Sequence, residues 1–246
     1  VKRSSMIRLA VALIVAMPLV ACGGDTEESG DQGATNAPGP AAAKPWSKDR
    51  LKKAALRDGS TAGGYVVSLP VSEETSYDDL GYTASDRVCQ PLVSLAEGAT
   101  ETDPVATVNR RADPLESDSS EKLTGLTVDI QLRSYRGGDA ETVMQALRDA
   151  TDACGDGFTE ERTLSSARVR SVEEVDGPRV AEEADESVTV RLRVEDVKDE
   201  GIVFTEYLTV VRVGTQTASF RLESMDQKDH GPAPAALVQA QLASLT

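Results

Sequence analysis

Strict two-residue alternation over the C-terminal half is what most limits the folds open to this chain. Leu126, Val128, Ile130 and Leu132 alternate with Thr127, Asp129, Gln131 and Arg133, and Val188, Val190, Leu192 and Val194 alternate with Thr189, Arg191, Arg193 and Glu195. Successive strand side chains point to opposite faces, so the first segment predicts a strand with one face buried and the other wet, and the second repeats the pattern. Residues 202–213 are apolar on both parities, which predicts a central strand covered on two faces. Lys198-Asp199-Glu200-Gly201 supplies the turn before it, and Ala218, Phe220 and Leu222 mark a further strand after Gly214-Thr215. Together these segments form an antiparallel meander.

Helical signals flank the strands. Ser47 reads as an N-cap, with Trp46 stapling onto Leu51 and the helix ending near Asp58-Gly59. Gly63 to Pro70 reads as a strand stopped by Pro70. Cys89 to Leu95 reads as a short helical piece with Pro91 in its first turn and Leu92 and Leu95 inward. Residues 99–122 are polar and acidic and read as a long excursion before the main sheet. Gly137-Gly138-Asp139 turns the chain into a helix in which Val143, Leu147, Ala150 and Cys154 recur on one stripe. Asp139 with Glu141 puts negative charge at the start of that helix, so N-capping rather than phosphate binding explains the loop. A last helix is predicted over 234–245, with Val238, Leu242 and Leu245 on one side. The fold class is α+β: a meander-rich antiparallel sheet with helices packed on it.

The N-terminus sets location. Lys2, Arg3 and Arg8 precede an apolar run over 9–20 that is too short to span a bilayer, and Leu19-Val20-Ala21-Cys22 closes it. That arrangement resembles a lipoprotein signal, which implies cleavage after residues 1–21 and a lipid on the Cys22 thiol. Residues 22–45 then carry the lipid and a flexible linker, since Gly23 to Pro45 hold no apolar side chain larger than Ala. Residues 46–246 form a single folded domain. The expected place of work is the outer face of the cytoplasmic membrane.

Charge removes whole classes of partner. The chain has 26 Lys and Arg against 41 Asp and Glu; loss of Lys2, Arg3 and Arg8 with the leader leaves 23 and moves the net charge from −15 to −18. Nucleic acid would be repelled, and membrane attachment has to come from the lipid on Cys22. Three cysteines less Cys22 leave Cys89 and Cys154, an even pair in an oxidising compartment. One disulfide is expected, with two free thiols or a Cys nucleophile as the alternatives.

Histidines and cysteines able to carry catalysis or bind metal are few. His230 is the only histidine, in the loop Asp229-His230-Gly231-Pro232, and reads as solvated; no Gly-x-Ser-x-Gly elbow accompanies it. Zinc fails for want of ligands, and Asp152, Asp156 and Glu160 do not have the spacing of a calcium loop. Glu73-Glu74, Asp78-Asp79 and Glu182-Glu183 with Asp185-Glu186 contain enough carboxylates for a glycosidase pair, yet acidic loop runs are ordinarily solvated. No catalytic residue, cofactor or metal site is therefore assigned. Tyr65, Tyr77 and Tyr82 belong either to a cleft or to the core.

Several landmarks recur in a set order: Gly64-Tyr65, Cys89-Gln90-Pro91-Leu92, Ala153-Cys154-Gly155-Asp156-Gly157-Phe158, Asp185-Glu186-Ser187 and Val210-Val211-Arg212-Val213-Gly214. Their order resembles actinobacterial lipoproteins related to the extracellular sensor domain of mycobacterial membrane serine/threonine kinases. The resemblance implies a compact α+β domain with a cleft for a small molecule or cell-envelope component, no catalytic apparatus, and a Cys89–Cys154 bridge. The expected function is that of a non-enzymatic, membrane-anchored ligand-binding or sensor-like domain. The alternatives are an envelope adaptor that docks on a protein partner, and an acidic hydrolase. No residue pattern identifies the ligand.

Overall fold

The computed structural model describes residues 44–70, 82–97, 102–115, 125–162, 165–180, 182, 184–196, 198–199 and 201–246. The strands are β1 (Thr61–Ala62), β2 (Tyr65–Ser68), β3 (Thr83–Ala84), β4 (Ala106–Pro114), β5 (Thr127–Ser134), β6 (Phe158–Arg162), β7 (Ser165–Glu174), β8 (Glu186–Glu195), β9 (Val203–Val213) and β10 (Gln216–Glu223). The helices are α1 (Lys48–Ala54), α2 (Gln90–Glu97), α3 (Asp139–Ala153) and α4 (Ala235–Leu242). All strands join one antiparallel sheet in the order β1-β2-β4-β5-β10-β9-β8-β7-β6-β3. The predicted α+β class is thus the observed one, and β8, β9 and β10 form the predicted meander.

The two halves of the sheet are covered on opposite faces. Val67, Val108, Val128, Ile130, Leu132, Phe220 and Leu222 pack with Leu51 of α1 and Leu237, Val238 and Leu242 of α4. Val169, Val190, Leu192, Leu208 and Val210 pack instead with Leu92 and Leu95 of α2 and Val143, Met144 and Leu147 of α3. Paired residues of adjacent strands share a face, and Val210 pairs with Ser219 while Thr209 pairs with Phe220. The α2–α3 core therefore lies across the sheet from Phe220. β9 serves both cores, with Leu208 and Val210 on one side and Tyr207 and Val211 on the other, which is why its apolar residues occupy both parities.

That swap corrects the predicted wet face of β5. Asp129, Gln131 and Arg133 are buried, as are Thr217, Ser219 and Arg221 beside them on β10. The strip lies on the α2 side of the sheet, and part of it is satisfied internally: Arg111 of β4 holds Asp129 through Nε at 3.0 Å. Alternation identified the strand correctly, but a polar parity is not proof of contact with water.

Other boundaries differ for local reasons. Ser47 caps α1 by accepting from the Arg50 amide, but the helix stops at Ala54, short of Asp58-Gly59. Its last turn is claimed by α4: the Ala54 carbonyl accepts from Gln241 Nε2 at 2.8 Å and from Ser244 Oγ, and Gln241 Oε1 accepts from the Leu56 amide at 3.0 Å. Trp46 is capped by the Arg50 guanidinium, 3.7 Å from its ring centre, and packs half-buried against the core containing Leu51. The acidic excursion over 99–122 contains β4, whose inward residues include Ala106, Ala112 and Arg110 and so carry little apolar signal. Arg110 buries its stem and donates from Nε to the Leu56 carbonyl at 2.9 Å. Gly138, not Asp139, occupies the N-cap of α3, and no side chain caps it. Asp139 and Glu141 lie in the first turn, where negative charge favours the helix dipole.

Candidate functional site

The N-terminal end of α2 is fixed by short-range bonds and one covalent link. Asp86 caps a 3-10 turn, Arg87–Cys89, by accepting from the Val88 amide at 3.2 Å. Gln90, the first residue of α2, accepts from the Ala84 amide at 2.8 Å and donates to the Tyr82 carbonyl at 3.1 Å, fastening β3 to the helix. Cys89 and Cys154 form a disulfide with Cα atoms 6.0 Å apart, joining the start of α2 to the end of α3 across a sequence separation of 65. Both cysteines are buried.

Between the helices held by this bridge is a pocket of about 250 Å³. Val88, Leu95, Val143 and Ala146 give it apolar walls, and Arg87 and Asp149 place opposite charges among its lining.

Beneath α2, the sheet presents a charged cluster. Arg221 of β10 is 0% exposed and bonds Oε2 of Glu206 on β9 through Nη2 at 2.7 Å and Nε at 3.2 Å. Two further carboxylates share that guanidinium: Glu223 Oε1 is 3.1 Å from Nε, and Glu160 Oε2 is 3.7 Å from Nη2. Glu160 belongs to β6, four places from β10 in the sheet order, so the sheet curls far enough to bring these strands together. Burial pushes the Glu206 carboxyl up to about 7, against the pull of Arg221 and with help from Glu223 and Glu160.

Arg221 and its neighbour Ser219 also reach α2. Arg221 Nη1 donates to the Leu92 carbonyl at 3.4 Å, and Ser219 Oγ donates to the Leu95 carbonyl. The helix that walls the pocket is thus seated on β10 by two side chains, one of them the arginine of the carboxylate cluster. Glu206 was not singled out from the sequence. The signal was present, since a carboxylate inside a strand apolar on both parities has no wet face to turn to.

The residues considered for chemistry are dispersed. His230 is not simply solvated: it is half-buried with Nε2 2.7 Å from Asp226 Oδ1. Burial would raise the Asp226 carboxyl, but the bonds from His230 and the Lys228 amide outweigh it and hold it below the ordinary range. Asp152 and Asp156 are exposed while Glu160 is buried against Arg221, so those three do not converge. Asp185 and Glu186 are ion-paired rather than free in a loop: Arg212 holds both, Arg148 adds a 2.5 Å contact to Glu186, and Asp185 accepts from the Gly214 amide at 2.6 Å. Among the described residues, no group of three or more His, Cys, Asp or Glu is arranged to hold a metal ion. Tyr65 belongs to the core and Tyr82 packs half-buried against the α2–α3 core, while Tyr77 lies outside the described residues. So do Cys22, Glu73-Glu74, Asp78-Asp79 and Glu183. No helix among the described residues is long and apolar enough to cross a membrane.

No protein-family model matches the chain. Nor does any curated protein sequence. Among solved structures, the chain is similar to the extracellular domain of PknH from Mycobacterium tuberculosis, with a TM-score of 0.51 at 15% identity, covering 82% of this chain and 97% of that one. An uncharacterized protein of Mycobacterium smegmatis, the Rv0999 ortholog, matches at TM-score 0.36 and 11% identity over 80% of this chain and 93% of that chain. The first likeness agrees, at the level of fold, with the resemblance to mycobacterial kinase sensor domains drawn from the ordered landmarks.

Proposed function

We propose that this chain is a lipid-anchored extracytoplasmic protein whose folded domain binds a small molecule in the pocket between α2 and α3. The observation that carries the binding reading is the pocket itself: about 250 Å³, apolar-walled, with Arg87 and Asp149 at its lining and a disulfide holding its two helices together. The disulfide suits an oxidising compartment, and the fold likeness to a kinase's extracellular domain supports the same placement. The described residues bring no nucleophile, base and orienting group together, and in the carboxylate cluster beneath α2 Glu160 and Glu206 are buried while Glu223 is partly exposed. On this proposal the domain acts by occupancy.

Anchoring is read from the Leu19-Val20-Ala21-Cys22 signal. Cells fed an alkyne-tagged palmitate are expected to label the wild-type chain and leave Cys22→Ala unlabelled; an unlabelled wild type removes the anchor from the account. For the ligand, native mass spectrometry of the full chain after mild detergent extraction is expected to show a retained small mass. A stoichiometric protein partner with no small mass would favour the adaptor reading instead.

A further inference from the structure

We propose that α2 is the movable wall of the pocket, and that a proton held on Glu206 keeps it seated, so that ligand binding is proton-linked. The consequence for binding rests on the pocket reading above; the seating itself does not.

Glu206 is surrounded by charged groups from four strands. From β10 come Arg221 and Glu223, from β6 comes Glu160, and from β5 comes Asp129, the register partner of Arg221, itself held by Arg111 of β4. Its register partner on β8 is Leu192. α2 contributes the Leu92 carbonyl, on the far side of the guanidinium. Glu206 is only 7% exposed, and the guanidinium that touches it is shared with two other carboxylates. A carboxylate so placed holds its proton more tightly than a hydrated one, and burial supplies the largest part of that effect.

Linkage then fixes the direction. Any movement of α2 that admits water to the cluster returns Glu206 toward the ordinary carboxylate range, so the lifted state binds the proton less tightly than the seated state. Acid favours the seated helix, and rising pH favours the lifted one until the seated form has also lost its proton. The step is the transfer of one proton between solvent and a Glu206 carboxylate oxygen, with Arg221 cationic throughout. Leu95 ties this to the pocket, because it lines the cavity and its carbonyl is held by Ser219. The pocket exists with α2 seated, so acidification tightens binding.

Hydrogen–deuterium exchange of the full chain between pH 5 and 8, corrected for intrinsic chemical exchange, tests this. Peptides covering 90–97 are expected to lose protection by up to about tenfold per pH unit between 5 and 7 and to level off above. Peptides from β8 hold steady, and Glu206→Gln removes the slope. Flat protection of α2 in the wild type, a slope retained in Glu206→Gln, or one common slope in every peptide would each overturn the proposal. Should Glu206→Gln not fold, the contrast between α2 and β8 in the wild type decides alone. Binding of 1-anilinonaphthalene-8-sulfonate over the same pH range separates the two readings. An α2-specific slope without probe binding upholds the seating and removes the pocket, whereas probe binding with flat exchange upholds the pocket and removes the seating.

Discussion

Arg221 Nη2 lies 2.7 Å from Glu206 Oε2 at the junction of β9, β10 and α2, where the guanidinium has no contact with solvent. A charge pair there is costly to desolvate and more costly to break. Arg221→Met leaves three carboxylates without the cation they share. It is expected to destabilise the fold by about 3–5 kcal/mol at pH 8. At pH 5 the loss shrinks, because Glu206 is then protonated. Urea unfolding at the two pH values measures both.

The Glu206 carboxyl titrates at about 7 in the folded chain against 4.5 for an ordinary glutamate. Between those values the folded state binds more protons than the unfolded one, so stability falls as pH rises through this window and is constant above it. Glu206 contributes a loss of about 3 kcal/mol between pH 4.5 and pH 7.5. Glu206→Gln cannot titrate and is expected to flatten the urea-midpoint profile between pH 5 and 7.5. A wild-type profile that rises over this range would contradict the assignment.

Gln131 is 2% exposed, and among the described residues neither Oε1 nor Nε2 has a hydrogen-bond partner. A buried group left unbonded costs about 1–3 kcal/mol. Gln131→Leu keeps similar bulk and removes both polar atoms, so its urea midpoint is expected to equal or exceed that of the wild type. A clear loss of stability would show that ordered water satisfies the amide.

Gly157 has φ +90°, and a Cβ added there would lie 2.1 Å from the Val169 carbonyl oxygen. The turn from α3 into β6 depends on that clearance. Gly157→Ala is expected to cost at least about 2 kcal/mol, read as a lowered thermal midpoint.

The Cys89–Cys154 bridge closes a long loop and pins both helices of the pocket. Replacing both cysteines by Ala is expected to cost about 2–5 kcal/mol. The same variant should lose affinity for an apolar probe under conditions where it remains folded.

How far the sequence alone carried this picture depended on where the hydrophobic signal was concentrated. β5, β8, β9, β10 and α3 were visible because large apolar residues repeat at a strand or helix period in each. β4 was hidden because its inward face uses Ala106, Ala112 and Arg110, and an arginine that buries its stem looks polar in a pattern. Asp129, Gln131 and Arg133 of β5 read as a wet face but are buried, since alternation reports which residues share a side but not what covers it. The pocket was unreadable for a related reason. Val88, Leu95, Val143 and Asp149 are brought together by α2, the turn before it and α3, and no local motif encodes that meeting.

The central claim is that a small molecule occupies the space between α2 and α3. Ala146 lines that space and is only half-buried, so Ala146→Trp fills the pocket from its rim while leaving the core beneath α3 intact. Native mass spectrometry of the full wild-type chain and this variant, extracted side by side from the host, tests the claim directly. The account predicts a discrete small mass retained by the wild type and absent from Ala146→Trp. The same mass on both proteins, or none on the wild type, would contradict it.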